Sequence, residues 1–113
     1  MIEDAPLVTV YVPCKNYGKY LSQCLGSVVA QLYTHWELIL FDEASDDETA
    51  LIFNDYMRRF PNRVSVIRNE TALGLQAVAN MALRRAKGKY MMRLDADDWL
   101  DEGALLLMVS KLE

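Results

Sequence analysis

Cysteine is scarce in this chain. Its 113 residues include two, Cys14 and Cys24. A single pair ten apart is no disulfide framework. Both are expected as free thiols in a reducing compartment, so the expected location is cytoplasmic. Long apolar runs are missing as well. None approaches a membrane span, and none reads as a signal peptide. Peripheral association with the inner face of a membrane, through regions outside this chain, stays open, as does oligomeric state. Positive charge is in deficit: 12 Lys and Arg against 16 Asp and Glu, a net −4. That argues against nucleic acid as a partner, which wants a basic face. The lone histidine, His35, sits at a turn and reads as a solvated surface residue. With 3 prolines and 5 glycines there is no linker, and no repeat or low-complexity segment is visible. What remains is 52% apolar and 25% charged, the composition of one globular domain over residues 1–113.

Periodicity alternates along the chain. Leu7-Val8-Thr9-Val10-Tyr11-Val12 is a β-branched and aromatic run, as in a strand buried on both faces, and Pro13 is expected to end it. Leu21, Cys24, Leu25, Val28, Val29 and Leu32 share one helical face. Trp36 to Asp42 reads as a second buried strand. Ser45 and Glu48 then have capping-box spacing, with Asp46 and Asp47 expected in the first helical turn. Thr49, Ile52, Phe53, Tyr56 and Phe60 mark that helix's inner face, and Pro61 breaks it. Val64 to Arg68 is a third strand. Leu75, Val78, Ala79, Ala82, Leu83 and Ala86 mark a third helix, which Gly88 is expected to close as a C′ residue. Lys89 to Arg93 is a fourth strand, and a fourth helix is expected from Asp101, with Leu105, Met108, Val109 and Leu112 inward. This order predicts an α/β fold with a mostly parallel sheet of about four strands flanked by helices.

Polar residues collect where the strands end: Cys14-Lys15-Asn16, Asp42-Glu43, Asn69, and Asp95-Ala96-Asp97-Asp98. Ligands of parallel α/β sheets bind at that rim. Asp95 and Asp97, two apart in an extended segment, point to the same side. Two hard oxygen donors with room for waters and a phosphate suit Mg²⁺ or Mn²⁺. A cation there would also reconcile an acidic protein with a phosphate ligand. The competing reading is a solvated loop whose Asp98 or Asp101 caps the next helix. Tyr17 and Tyr20 suit either base stacking or ordinary packing. Trp99 would close the site floor or anchor the loop under the last helix. Arg58-Arg59 and Arg84-Arg85 read as solvated helix faces. Cys14 lies near the rim but has no partner that would activate a thiolate.

Taken together, these segments resemble the family 2 inverting glycosyltransferases of GT-A fold. Val8 to Asn16 is similar to the family's opening strand and its Pro-x-x-Asn loop. Ser27 with Gln31, then Trp36 to Ser45, resemble a helix end and an acidic strand end. Asn69, Gly74-Leu75 and Ala79-Asn80 follow in order, and Ala86 to Tyr90 leads to Leu94-Asp95-Ala96-Asp97. The resemblance runs from about Leu7 to Leu112. It implies a Rossmann-like, GT-A donor-binding half that takes a nucleotide-diphosphate sugar, with uridine as the expected base. The implied acceptor is a saccharide or lipid-linked molecule in cell-surface polysaccharide synthesis. Pro13, Lys15, Asn16, Asp42, Glu43, Asp95 and Ala96 are the implied nucleotide-sugar residues. Asp97 with Asp95 would hold Mg²⁺ or Mn²⁺. The general base is expected beyond Glu113, so no catalytic residue is assigned within the chain, and the chain alone is expected to be inactive.

Three departures stand out against that family. Glu43 occupies the place of a usual Asp, Ala44 that of a usual Gly, and Lys15 that of a frequent aromatic residue. An alanine Cβ disfavours positive φ, so Ala44 argues against a left-handed turn there. A non-catalytic nucleotide-binding module is therefore the alternative. A phosphoacceptor receiver domain would need an acidic pair after the first strand, and a nucleotidyltransferase a basic Gly-rich loop there. The chain has Pro13-Cys14-Lys15-Asn16 instead.

Overall fold

The computed structural model describes residues 5–113. Strands and helices alternate throughout: β1 (Val8–Cys14), α1 (Gly18–Val29), β2 (Trp36–Glu43), α2 (Thr49–Arg59), β3 (Val64–Asn69), α3 (Leu75–Arg85), β4 (Tyr90–Arg93) and α4 (Ala104–Leu112). The sheet order is β3-β2-β1-β4, and every pairing is parallel. Sequence periodicity therefore read the class and the element order correctly. No described helix is long and apolar enough to cross a membrane.

Each strand's alternation splits the core in two. Val8, Val10 and Val12 of β1 and Leu38 and Leu40 of β2 pack against α1, α2 and α4. Tyr11, Ile39 and Phe41 point the other way and meet Val78 and Ala82 of α3. One sheet face thus carries three helices and the other carries one. Phe53 and Leu25 are fully buried, each stabilising the fold by roughly 1.5–3 kcal/mol relative to exposure.

Several local expectations fail, each for a physical reason. Strand β1 continues through Pro13 to Cys14. The last β1 residue paired with β4 is Tyr11, and Pro13, in phase with it, faces the side that β4 has already left. Its missing N–H therefore breaks no ladder bond. Helix α1 stops at Val29, so Leu32 falls outside it and is exposed. The Ser45–Glu48 capping box does not form. Asp46 and Asp47 precede α2 instead of lying within its first turn. Asp47 takes the capping role: its Oδ1 accepts the Thr49 N–H at 2.9 Å, and its Oδ2 accepts the Gly18 N–H at 2.9 Å. One carboxylate thereby serves the first residues of two helices.

Gly88 is not a C′ residue. Helix α3 ends in extended backbone at Ala86, and Gly88 is pressed against β1. A Cβ there would stand 2.6 Å from Thr9 Oγ1 and 2.7 Å from Thr9 N. Glycine is needed for close approach, not for a turn. Helix α4 begins at Ala104, and Leu112 is exposed. Neither Asp98 nor Asp101 caps α4 with its side chain. Its cap comes from just beyond the end of α1, where Gln31 Oε1 accepts the Leu105 N–H at 3.0 Å. Gln31 Nε2 donates to Asp101 O at 2.6 Å and Ser27 O at 3.1 Å. Ser27 Oγ accepts the Leu100 N–H at 3.0 Å. The loop that follows β4 is stapled to α1 in this way.

Candidate functional site

The carboxyl rim of the sheet holds a hollow of about 420 Å³. Its floor and one side come from Pro13, Cys14, Lys15 and Tyr17, where β1 runs into α1. Glu43 enters from the end of β2. Ala72, Gly74, Leu75 and Val78 form the wall beside α3, and Asp95, Ala96 and Asp97 close the side beyond β4. Six of the eight residues expected from sequence therefore meet: Pro13, Lys15, Glu43, Asp95, Ala96 and Asp97. Glu43 and Asp97 share the hollow although they come from different strands.

Asn16 and Asp42 do not line it; they hold its walls in place. Asp42 is buried, its Oδ2 2.7 Å from Arg68 Nη1 and its Oδ1 accepting the Ser45 N–H at 2.9 Å. Arg68 reaches the same turn through Ser45 O at 3.3 Å. Asn16 takes a left-handed φ of 60°. Its N–H donates to Ser45 Oγ at 3.0 Å, and its Oδ1 accepts the Asp46 N–H at 2.9 Å. Ala44 is also left-handed, at φ 59°, against the expectation from its Cβ. Hydrogen bonds on the flanking Ser45 hold this turn, and they outweigh a conformational cost of about 1–2 kcal/mol.

Glu43 is buried, and both its oxygens are engaged. Oε1 accepts the Leu73 N–H at 2.9 Å, and Oε2 accepts from Asn69 Nδ2. On the opposite side Asp95 is half-buried, with Oδ1 3.1 Å from Arg93 Nε. Asp97 is exposed and has no ion-pair partner among the described residues. Cys24 Sγ donates to Asp95 O at 3.5 Å, fixing the start of the acidic turn from below. Burial pushes the Cys24 thiol up to about 12, and the neighbouring Cys14 adds to the rise. Cys14 is raised too, chiefly by burial, against an opposing hydrogen bond with Thr49. Both thiols are thereby held in the less nucleophilic, protonated form; for Cys14 this matches the sequence reading.

No described group of three His, Cys, Asp or Glu could hold a metal by itself. The carboxylates of Asp95 and Asp97 reach the hollow from a turn closed by the Asp98 N–H on Asp95 O at 2.9 Å, not from the extended segment expected. Two carboxylates at an open rim fit a hard cation that completes its shell with waters and phosphate oxygens. They do not fit a closed protein cage. Tyr17 lines the hollow with its ring 5.9 Å from that of Tyr20. Trp99 does not close the floor of the hollow: it is exposed and borders a separate depression beside α4. Arg58 and Arg59 are solvated beside Asp55, and Arg84 and Arg85 are exposed. His35 is exposed, with Nδ1 2.5 Å from Ala5 O.

Sequence reasoning missed Arg68 and the apolar wall of Ala72, Leu75 and Val78. The first becomes visible only in register, since Asp42 and Arg68 are partners across β2 and β3. Leu75 and Val78 looked like helix core; Val78 is buried, while Leu75 turns outward at the hollow.

A sequence model of glycosyl transferase family 2 matches residues 9–113. The chain belongs to that family. Among the family's curated members, a chondroitin synthase of Escherichia coli is 32% identical over 97% of this chain and 16% of its own length. Among solved structures, Staphylococcus aureus TarS in complex with UDP-GlcNAc superposes with TM-score 0.82 at 28% identity, over 91% of this chain and 30% of that one. A Pyrobaculum calidifontis mannosyltransferase in complex with GDP-Man and Mn²⁺ gives 0.79 at 28% identity, over 88% and 30%. The fold is the GT-A, Rossmann-like one. The chain spans about a third or less of the length of the relatives it matches. Family membership sets aside the receiver and nucleotidyltransferase readings.

Proposed function

We propose that this chain is the donor-binding half of an inverting, metal-dependent glycosyltransferase that takes a nucleotide-diphosphate sugar, with a UDP-sugar favoured. One observation carries the reading: Glu43 and the Asp95-Ala96-Asp97 turn share a single rim hollow with Pro13, Lys15 and Tyr17. The base and ribose lie on the Pro13, Tyr17 and Glu43 side. The diphosphate lies towards Asp95 and Asp97, where Mg²⁺ or Mn²⁺ would be held. That ion, when bound, would stabilise negative charge growing on the departing diphosphate. Lys15 adds a mobile positive charge at the same rim. Cys14, protonated and buried, takes no part in proton transfer.

The deprotonation of an acceptor hydroxyl is assigned to a carboxylate beyond Glu113, so this chain alone is inactive. The acceptor we favour is a saccharide or a lipid-linked saccharide in cell-surface polysaccharide synthesis. The full protein works in the cytoplasm, at the inner face of the membrane. A binding module without turnover is the second reading, and the doubly engaged Glu43 favours it.

Titration of UDP and GDP with and without Mn²⁺, followed by amide signals near Glu43 and Asp97, tests the first step. We expect UDP to move both sets of signals and Mn²⁺ to tighten binding. Asp97→Ala should abolish the Mn²⁺ effect. Binding that ignores Mn²⁺ in the wild type, or no binding at all, overturns the proposal.

A further inference from the structure

We infer that Glu43 and Asn69 act as a clamp that positions the β3–α3 loop, and that this clamp is how Glu43 supports nucleotide binding. The inference rests on the nucleotide reading above and asks how the same hollow is kept in shape.

The wall of the hollow beside α3 is made by Ala72, Gly74 and Leu75. Val78, the wall's fourth residue, is buried against the sheet, but residues 70–76 are all exposed, so packing does not hold the loop part of this wall. Gly74 sits at φ 89°, with nothing within 4 Å of where a Cβ would stand. Among the described residues, one hydrogen bond links residues 71–73 to the sheet, from Leu73 N–H to Glu43 Oε1 at 2.9 Å. Leu73 lies between two lining residues, so this bond sets the wall. The other oxygen, Oε2, accepts from Asn69 Nδ2, at the last residue of β3. Asn69 and Glu43 are register partners on adjacent parallel strands. Glu43 therefore has its rotamer fixed by Asn69 and turns its remaining oxygen to the loop. The extra methylene of Glu over Asp gives it the reach, and it leaves the carboxylate facing protein donors from both sides. Asn69 does not line the hollow, so its substitution probes the clamp without touching the ligand surface.

The test is a swap made in the intact chain, read by hydrogen exchange at the Leu73 amide and by UDP titration with Mn²⁺. Asn69→Asp sets two carboxylates against each other. We expect it to expose the Leu73 amide and weaken UDP binding about tenfold, the scale of one lost hydrogen bond to a charged group. The double variant Asn69→Asp with Glu43→Gln restores the pairing: the new amide at position 43 donates to the new carboxylate at position 69, and its carbonyl accepts from Leu73. Both Leu73 protection and affinity should return to within about twofold of wild type. Exchange at Ile39 and Leu40, in the core of β2, reports that each variant is folded. Recovery of protection without recovery of affinity overturns the clamp as the role of Glu43, since it makes a carboxylate at 43 necessary in itself. Unchanged Leu73 exchange in Asn69→Asp overturns the clamp outright. A wild type that binds no UDP while the exchange pattern follows the swap overturns the nucleotide reading and leaves the clamp standing as architecture.

Discussion

Ala44 holds a left-handed backbone at φ 59° that its Cβ disfavours. Glycine would relieve about 1–2 kcal/mol of that cost and give back about 0.4–1 kcal/mol through greater freedom of the unfolded chain. Ala44→Gly should therefore stabilise the fold by about 0.5–1 kcal/mol, read as a higher urea midpoint. An unchanged or lower midpoint refutes the argument. Gly88 is the converse case. Its Cβ would meet backbone at Thr9 N and Leu7 O, at 2.7 and 2.8 Å, so Gly88→Ala should cost about 1–3 kcal/mol by forcing β1 and β4 apart. Asp47 gives the pH dependence. Burial raises its carboxyl, but hydrogen bonds from Thr49 and Gly18 outweigh that and hold it below the ordinary range. A carboxyl lower in the folded than in the unfolded chain adds stability above its unfolded value and loses it as pH falls through the folded one. Melting temperature should drop below about pH 4, and Asp47→Asn should flatten that drop. Parallel curves for the two proteins would show that other carboxylates carry the effect.

Among the elements, α4 is the least self-sufficient. No side chain near its start caps it; Gln31 does so from just past the end of α1. Gln31→Ala should cost about 1–3 kcal/mol by leaving the Leu105 N–H and Asp101 carbonyl short of partners. Gln31→Glu should cost more, because a carboxylate cannot donate to Asp101 O or Ser27 O. Thermal melts of the pair check the order. The order and type of all eight elements were legible because apolar spacing within a helix or strand is local information. Caps and ends were less so. The Ser45 hydroxyl was taken by Asn16, and Asp47 served two helices at once. Leu32 kept the helical spacing after α1 had ended. Such choices depend on partners about thirty residues away, which spacing along one helix does not encode.

At the scale of the whole molecule, the hollow is legible because all four strands run parallel, so the polar residues that follow their carboxyl ends converge on one rim. Sequence named Pro13, Lys15, Glu43, Asp95, Ala96 and Asp97, and these meet. It did not separate residues that face the hollow from those that brace it. Asp42 and Glu43 adjoin in sequence, yet one is paired with Arg68 beneath the turn and the other holds the β3–α3 loop. Removing Arg68 leaves Asp42 buried without its ion pair, and Arg68→Met should destabilise by about 1–3 kcal/mol, discounted for the solvent around Arg68. Urea unfolding measures it, and a neutral result would place the burden on Ser45 alone.

The Gln31–Leu105 bond spans 74 positions. During synthesis the glutamine leaves the ribosome long before the helix that needs it, so the acceptor waits on a formed α1 while the rest of the sheet is made. The last helix is then the last to consolidate, because its first turn gains its acceptor only after that long loop has closed. Pulse-labelled refolding should protect amides of β1 and β2 before that of Leu105; protection in the reverse order would mean that α4 nucleates by itself.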